Sequence, residues 1–304
     1  MKVVISNVAI LVIFSLIGWI LRKKNILSGE NLKLLSVLEV WVFLPCKTFQ
    51  GFASNCNVPY LSEKYLIIVV SIVILTVLVI LNRWLVPMVV KGDYRQKIVR
   101  YSLTVPNYGY FGYALIESIY GELALLDMMM FALPISFYTY TEGYRMLTNQ
   151  KTVSLRRIVN PVFISILIGC VFGLTQWELP LILNDVVNKS AACMAPVSML
   201  LAGIMIAEYS TKEILRNKAA YGIAILRLLG IPMMLCLVLS PFFAREIMLV
   251  AVLFYAMPCG MNTIIFPNLI GEDCKLGASL AMISTVASLI TIPLCVQVIE
   301  FLCV

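Results

Sequence analysis

Histidine is absent from the chain. That removes the commonest metal ligand and the commonest general base near neutral pH. Charge is scarce as well, at 13% of residues, about half of what a soluble domain carries. No polar stretch is long enough to fold as a separate soluble domain. There is no P-loop, so ATP-driven transport by this chain alone is not expected. Neither HExxH nor a nucleophile elbow occurs, which argues against the familiar membrane-embedded hydrolases.

What fills the space instead is apolar. Of 304 residues, 61% are apolar and the mean hydropathy is +0.96, against about half apolar in a soluble domain. Apolar runs of about 20 residues, the length that spans a bilayer core, recur along the whole sequence. They predict helices at about 3–21, 32–54, 60–86, 101–120, 123–146, 158–176, 180–207, 218–240, 245–269 and 276–302. The expectation is an all-α polytopic membrane protein of ten transmembrane helices. The first run ends in Arg22-Lys23-Lys24 without a small-residue cleavage site, so it is expected to stay as a helix. Most of the cysteines (Cys46, Cys170, Cys193, Cys236, Cys259, Cys295 and Cys303) lie in or beside apolar runs and read as reduced, buried side chains.

The net charge of +7 does not point to nucleic acid, because the basic residues sit in short clusters between apolar runs. Arg22 to Lys24, Lys91 to Arg100, Arg156-Arg157 and Lys212 to Lys218 fall on one side of the alternating helices. Only Lys2, Lys64, Lys189 and Arg245 fall on the other. The positive-inside rule then puts both termini outside, in the plasma membrane, or in the inner membrane if the source is bacterial.

Helix-distorting residues repeat at half the chain length. Gly18 and Gly169, Pro45 and Pro196, and Gly109 and Gly260 are 151 apart. Gly51 and Gly203, and Pro106 and Pro258, are 152 apart, and Gly121 and Gly271 are 150 apart. This predicts two five-helix repeats, 1–150 and 151–304, and an odd helix count obliges the second to insert inverted.

Two predicted helices are expected to be broken. The fourth carries Pro106, Asn107, Gly109 and Gly112, and the ninth carries Pro258, Gly260 and Asn262. Proline removes a donor and glycine weakens the helix, while broken helices at membrane depth are tolerated only where they line a cavity. Two charges fall inside apolar runs, Lys47 and Arg227. Each needs a partner, a cavity or a route to the interface, and Glu39, Glu117, Asp127 and Glu142 are the candidate counter-charges. These nine positions are the candidate substrate-binding residues. No catalytic residue, metal site or cofactor is expected.

The segment Pro106-Asn107-Tyr108-Gly109-Tyr110-Phe111-Gly112 resembles the Asn-x-Gly-aromatic-x-Gly element of the auxin efflux carrier family, which includes bacterial malate permeases. Val42-Phe43-Leu44-Pro45, Asn160-Pro161, Ala195-Pro196 with Leu200 to Gly203, Pro258 and the Ser284-to-Pro293 run agree in place. Tyr113 stands where the family commonly has proline, and Lys47 where an uncharged residue is expected. The resemblance implies inverted five-helix repeats like those of bile-acid symporters, with the fourth and ninth helices crossing at the substrate. It implies export or uptake of a small organic anion by an elevator-like movement, and the expectation is a secondary active carrier of a mono- or dicarboxylate. The coupling ion, protons or sodium, stays open, and the lack of clustered carboxylates at the crossing favours protons or the membrane potential. An anion channel or an uncoupled uniporter is the alternative. The expected partners are the substrate anion, the lipid bilayer and, for a homodimer, a second copy of the chain.

Overall fold

The computed structural model describes residues 2–152 and 159–302. Arg156, Arg157, Cys303 and the start of the sixth predicted helix lie outside them. Among the described residues the fold is all helical, 85% helix without strands. The helices run α1 (Lys2–Lys23), α2 (Gly29–Leu38), α3 (Leu44–Asn55), α4 (Val58–Val89), α5 (Asp93–Thr104), α6 (Tyr113–Tyr138) and α7 (Tyr144–Leu147). They continue as α8 (Pro161–Thr175), α9 (Leu181–Ala207), α10 (Thr211–Arg216), α11 (Lys218–Ile225), α12 (Ile231–Leu239), α13 (Arg245–Ala256), α14 (Asn262–Asn268) and α15 (Lys275–Leu302). Wide π turns at Glu39–Phe43, Tyr108–Gly112, Thr139–Gly143 and Leu226–Gly230 adjoin α3, α6, α7 and α12 respectively.

Among the described residues, six stretches are long and apolar enough to cross a membrane: Lys2–Lys23, Val58–Val89, Tyr108–Leu147, Leu181–Ala207, Lys218–Leu239 and Lys275–Phe301. The other predicted spans appear as shorter or interrupted helices. One of the six is not a single rod. Gly121, at φ 82° and ψ −173°, is non-helical, so two helices meet there inside Tyr108–Leu147. Gly271, its partner at the half-chain shift, has φ 70° and ends the turn after α14. Both positions use a conformation that L side chains rarely adopt.

Local signals set several helix starts. Asn57 accepts a hydrogen bond from the Tyr60 amide at 2.9 Å, and Asn160 accepts one from Phe163 at 2.9 Å. Each is followed by a proline in the first turn, where no intrahelical donor is lost. The outward faces are apolar too. On α4, Ile67, Val70, Ile74 and Leu78 are buried while Val69, Ile72, Val73 and Ile80 on other faces are exposed, as a lipid solvent requires.

Close backbone approach joins α1 to α9 and α3 to α8. A Cβ on Gly18 would strike the Leu200 carbonyl, and one on Gly203 would strike that of Ser15. Gly169 lies against Phe49 and Phe52, and Gly173 against the Phe52 and Cys56 carbonyls. Small residues of this kind let membrane helices gain van der Waals contact that lipid cannot supply. Thr48 and Ser165 add a hydroxyl–hydroxyl contact of 2.6 Å across the second pair. Gly203→Val should therefore destabilise the protein by about 1–3 kcal/mol or more, as overpacking does. Gly222, with open space around it, should tolerate alanine without loss. Thermal unfolding of the detergent-solubilised chain compares the two.

Candidate functional site

The site begins with two interruptions. α5 stops at Thr104, and Pro106 has no amide to continue the ladder; the chain resumes helically at Tyr108. α13 stops at Ala256, and α14 begins at Asn262. The two breaks lie against each other in antiparallel sense, with Pro106 paired to Cys259. The Asn107 amide donates to the Pro258 carbonyl at 2.8 Å. The Cys259 amide donates to Ser284 Oγ at 2.9 Å. The approach is close enough that a Cβ on Gly260 would lie 3.1 Å from the Val105 carbonyl oxygen.

Beside the crossing lies a cavity of about 240 Å³. Pro106, Asn107, Gly109, Gly260 and Asn262 line it, so the structure brings together five of the nine candidates at one place. Its other polar groups come from Ser136, Asn160 and the tyrosines of an aromatic wall formed by Tyr108, Tyr110, Tyr113, Phe137, Tyr140 and Phe163. Among the described residues, no charged side chain lines it. Asn262 donates to the Tyr101 hydroxyl at 2.9 Å, and Tyr108 shares a 2.8 Å contact with Ser136. The Asn107 carbonyl accepts from the Phe111 and Gly112 amides, at 3.2 and 3.0 Å, which closes the first turn after the break. Asn107 is 5% exposed. The segment restarting at Tyr108 presents its N-terminal end here, whereas at the start of α14 the Thr263 and Ile264 amides are already taken by the Gly260 and Met261 carbonyls, at 3.2 and 2.9 Å.

The remaining four candidates lie elsewhere. Gly112 packs behind the cavity, where a Cβ would meet Met128 and Met257. Pro258 supplies the carbonyl that holds Asn107. Arg227 is fully buried in the π turn Leu226–Gly230, and its Nη1 donates to the Leu103 carbonyl at 3.0 Å. Its guanidinium lies 5.1 Å from the centre of the Tyr255 ring. In an unbroken α5 the Leu103 carbonyl would receive the Asn107 amide, which is diverted to Pro258. Arg227 thus replaces the lost donor and sets a positive charge at the negative end of α5.

None of the expected counter-charges pairs with Arg227. Glu117 accepts from Lys47, and Glu142 holds Arg145 through two 2.6 Å bonds. Asp127 accepts from Tyr60 at 2.6 Å and lies 3.8 Å from Lys64, and Glu39 accepts from Ser198. Lys47, 5% exposed, is away from the crossing, between Glu117 and Gln50.

Sequence reasoning weighed Glu39 only as a counter-charge, yet it is fully buried, in the π turn whose next residue, Val40, lines the cavity. One carboxyl oxygen takes the Ser198 hydroxyl, and the other has no hydrogen-bond partner. An acidic residue in the middle of an apolar run was the available signal. Asn160 was read only as opening a helix, and its place in the cavity depends on α8 packing against α3.

A family model described as membrane transport protein matches residues 3–152 and 145–296. A search of curated proteins finds no match. The ion pair away from the cavity is open to a direct test. Lys47→Met and Glu117→Gln should each destabilise, and the double variant should recover part of the loss. A coupling energy of about 1–3 kcal/mol is expected from the thermal-unfolding cycle.

Proposed function

Since the chain belongs to the auxin efflux carrier family of membrane transport proteins, and is a multi-pass membrane transporter, we propose that it is a secondary active carrier of small organic anions. The carboxylate is bound at the crossing by the Asn107 and Asn262 side chains and by the amides that open the segment restarted at Tyr108. The observation that carries this reading is the cavity itself, with Asn107 and Asn262 on two antiparallel breaks and a helix N-terminus at the first of them. Partial positive charge at such ends suits an anion without a fixed counter-charge.

The lining also favours one class among carboxylates. Among the described residues, six aromatic rings and no cation surround about 240 Å³, which suits a monocarboxylate with an apolar body. A second carboxylate would leave water for a wall whose described residues offer tyrosine hydroxyls but no counter-charge, and an ionised group buried without one is costly.

The architecture proposed is ten helices in two inverted fives, 1–150 and 151–304, with both termini outside. The fourth helix is α5 with the restarted segment up to Gly121, and the ninth is α13 with α14. Three observations support it. The breaks at Pro106 and Pro258 are equivalent under the half-chain shift. The positive-φ glycines 121 and 271 are equivalent as well. The shift also exchanges the α1–α9 and α3–α8 contacts, since Gly18 maps to Gly169 and Gly51, on α3, to Gly203. Alternating access follows from sliding of the helices that carry the breaks against a frame of α1, α3, α8 and α9.

Glu39 supports proton coupling. It is buried beside the cavity lining, with one carboxyl oxygen on Ser198 and the other without a hydrogen-bond partner among the described residues, a place where an unpaired charge is costly. In proteoliposomes, uptake of aromatic or branched monocarboxylates should saturate and respond to a pH gradient. Asn107→Ala should lower uptake tenfold or more, in line with the loss of a charge-assisted hydrogen bond of about 1.5–3 kcal/mol. Linear flux unaffected by that change would identify a channel instead. Glu39→Gln should abolish the response to the pH gradient while leaving substrate exchange at equal pH; an unchanged response would exclude Glu39 as the proton carrier.

A further inference from the structure

A second cavity, of about 360 Å³, opens between α4, α5 and the end of the fifth predicted helix. It shares no lining residue with the one at the crossing. Among the described residues, Arg83, Lys97, Arg100 and Arg145 line it, against a single carboxylate, Glu142. Two of these cations are compensated. Lys97 lies 2.6 Å from Asp93, and Arg145 is gripped by Glu142 through two bonds. Arg83 and Arg100 have no carboxylate within ion-pair distance among the described residues. Arg100 donates only a long 3.4 Å bond to Gln96, and its buried Nε has no hydrogen-bond partner.

We propose that this basic pocket is a binding site for a phosphate dianion, held by the Arg83 and Arg100 guanidiniums and separate from the transport cavity. Two uncompensated guanidiniums match two negative charges, and their planar forks match phosphate oxygens. A single carboxylate would satisfy only one of them. The unpartnered Arg100 Nε is a donor already desolvated and waiting for an acceptor, which is costly to leave unmade. The pocket opens at the end of the fold that the Lys and Arg distribution assigns to the inside. Trp84, Leu85 and Met88 are exposed on α4 just beyond Arg83, so a phosphate carried by a lipid could reach it as well as one from solution. Basic pockets between helices on that side suit anionic headgroups.

The test uses the full chain, purified in detergent and separately in nanodiscs. Inorganic phosphate is titrated against chloride at matched ionic strength, and phosphatidylcholine nanodiscs are compared with ones that include phosphatidate. A saturable rise in Tm with inorganic phosphate supports the site and assigns it a soluble ligand. A rise in phosphatidate nanodiscs alone supports it and assigns it a lipid headgroup. In either case Arg83→Gln and Arg100→Gln should each weaken binding about tenfold or more, while Asn107→Ala should leave it unchanged. Arg83 is exposed, so its variant should fold even if that of Arg100 does not. The proposal is overturned if neither phosphate source raises Tm beyond chloride. It is equally overturned if both arginine variants bind like the parent, or if Asn107→Ala abolishes a rise that Arg100→Gln preserves.

Discussion

Breaking a helix inside a membrane frees backbone groups that hydrocarbon cannot hydrogen-bond, at a cost of several kcal/mol for each one left unpaired. This chain breaks two, and the contacts around the crossing answer that cost. The Asn107 amide, cut off from Leu103, finds the Pro258 carbonyl of the other break. The Cys259 amide takes Ser284, the Gly260 carbonyl accepts from Thr263 Oγ1 at 2.9 Å, and the Leu103 carbonyl takes Arg227. Each break therefore depends on the other and on two further elements, α15 and the Leu226–Gly230 turn. A substitution at any of these positions acts on the crossing even where it touches no ligand.

That dependence explains where the charges went. A guanidinium in the bilayer was expected to meet a substrate or a carboxylate, because charge is costly there. It meets a carbonyl and an aromatic face instead, both of which attract a cation without neutralising it. Lys47 is consumed by Glu117. With Lys47 and Arg227 engaged outside the cavity, the proposed attraction for an anion falls to dipoles: two carboxamides and the amides of the segment restarted at Tyr108. Dipoles attract an anion more weakly than a buried cation does, and a carrier must also let its substrate go.

The parts of this arrangement that the sequence made legible are those set locally. The interruptions at Pro106 and Pro258, the starts at Asn57 and Asn160, and the apolar spans follow from proline chemistry, capping and hydropathy. The half-chain spacing of glycines linked positions 121 and 271, which share a positive φ. What was not legible is set by packing between distant segments. The partner of Arg227 is a backbone carbonyl, which has no residue identity to search for. Asn160 enters the cavity only because Gly169 and Gly173 let α8 approach α3. Four wide turns were also invisible, and one of them aims Glu39 at Ser198.

The proposed sliding makes a further demand on the interface between the frame and the helices that carry the breaks. Within the frame, glycine-to-carbonyl contacts and the Thr48–Ser165 and Gln50–Asn188 bonds lock α1, α3, α8 and α9 together. Across the cavity, the frame presents Leu44, Val162, Phe163 and Ile166, side chains that can exchange neighbours with little loss. Two side-chain ties cross from the frame to α6: Asn7 to the Ser118 carbonyl at 3.3 Å, and Lys47 to Glu117. The first is long and exposed. The second is largely buried, so separating it strands a charge on each body. Sliding that carried Glu117 past Lys47 would break the strongest contact holding the two bodies in register. On that argument the lysine that replaces an uncharged residue holds one conformation of the carrier, and the weight of the pair falls on the equilibrium between conformations rather than on recognition of the anion.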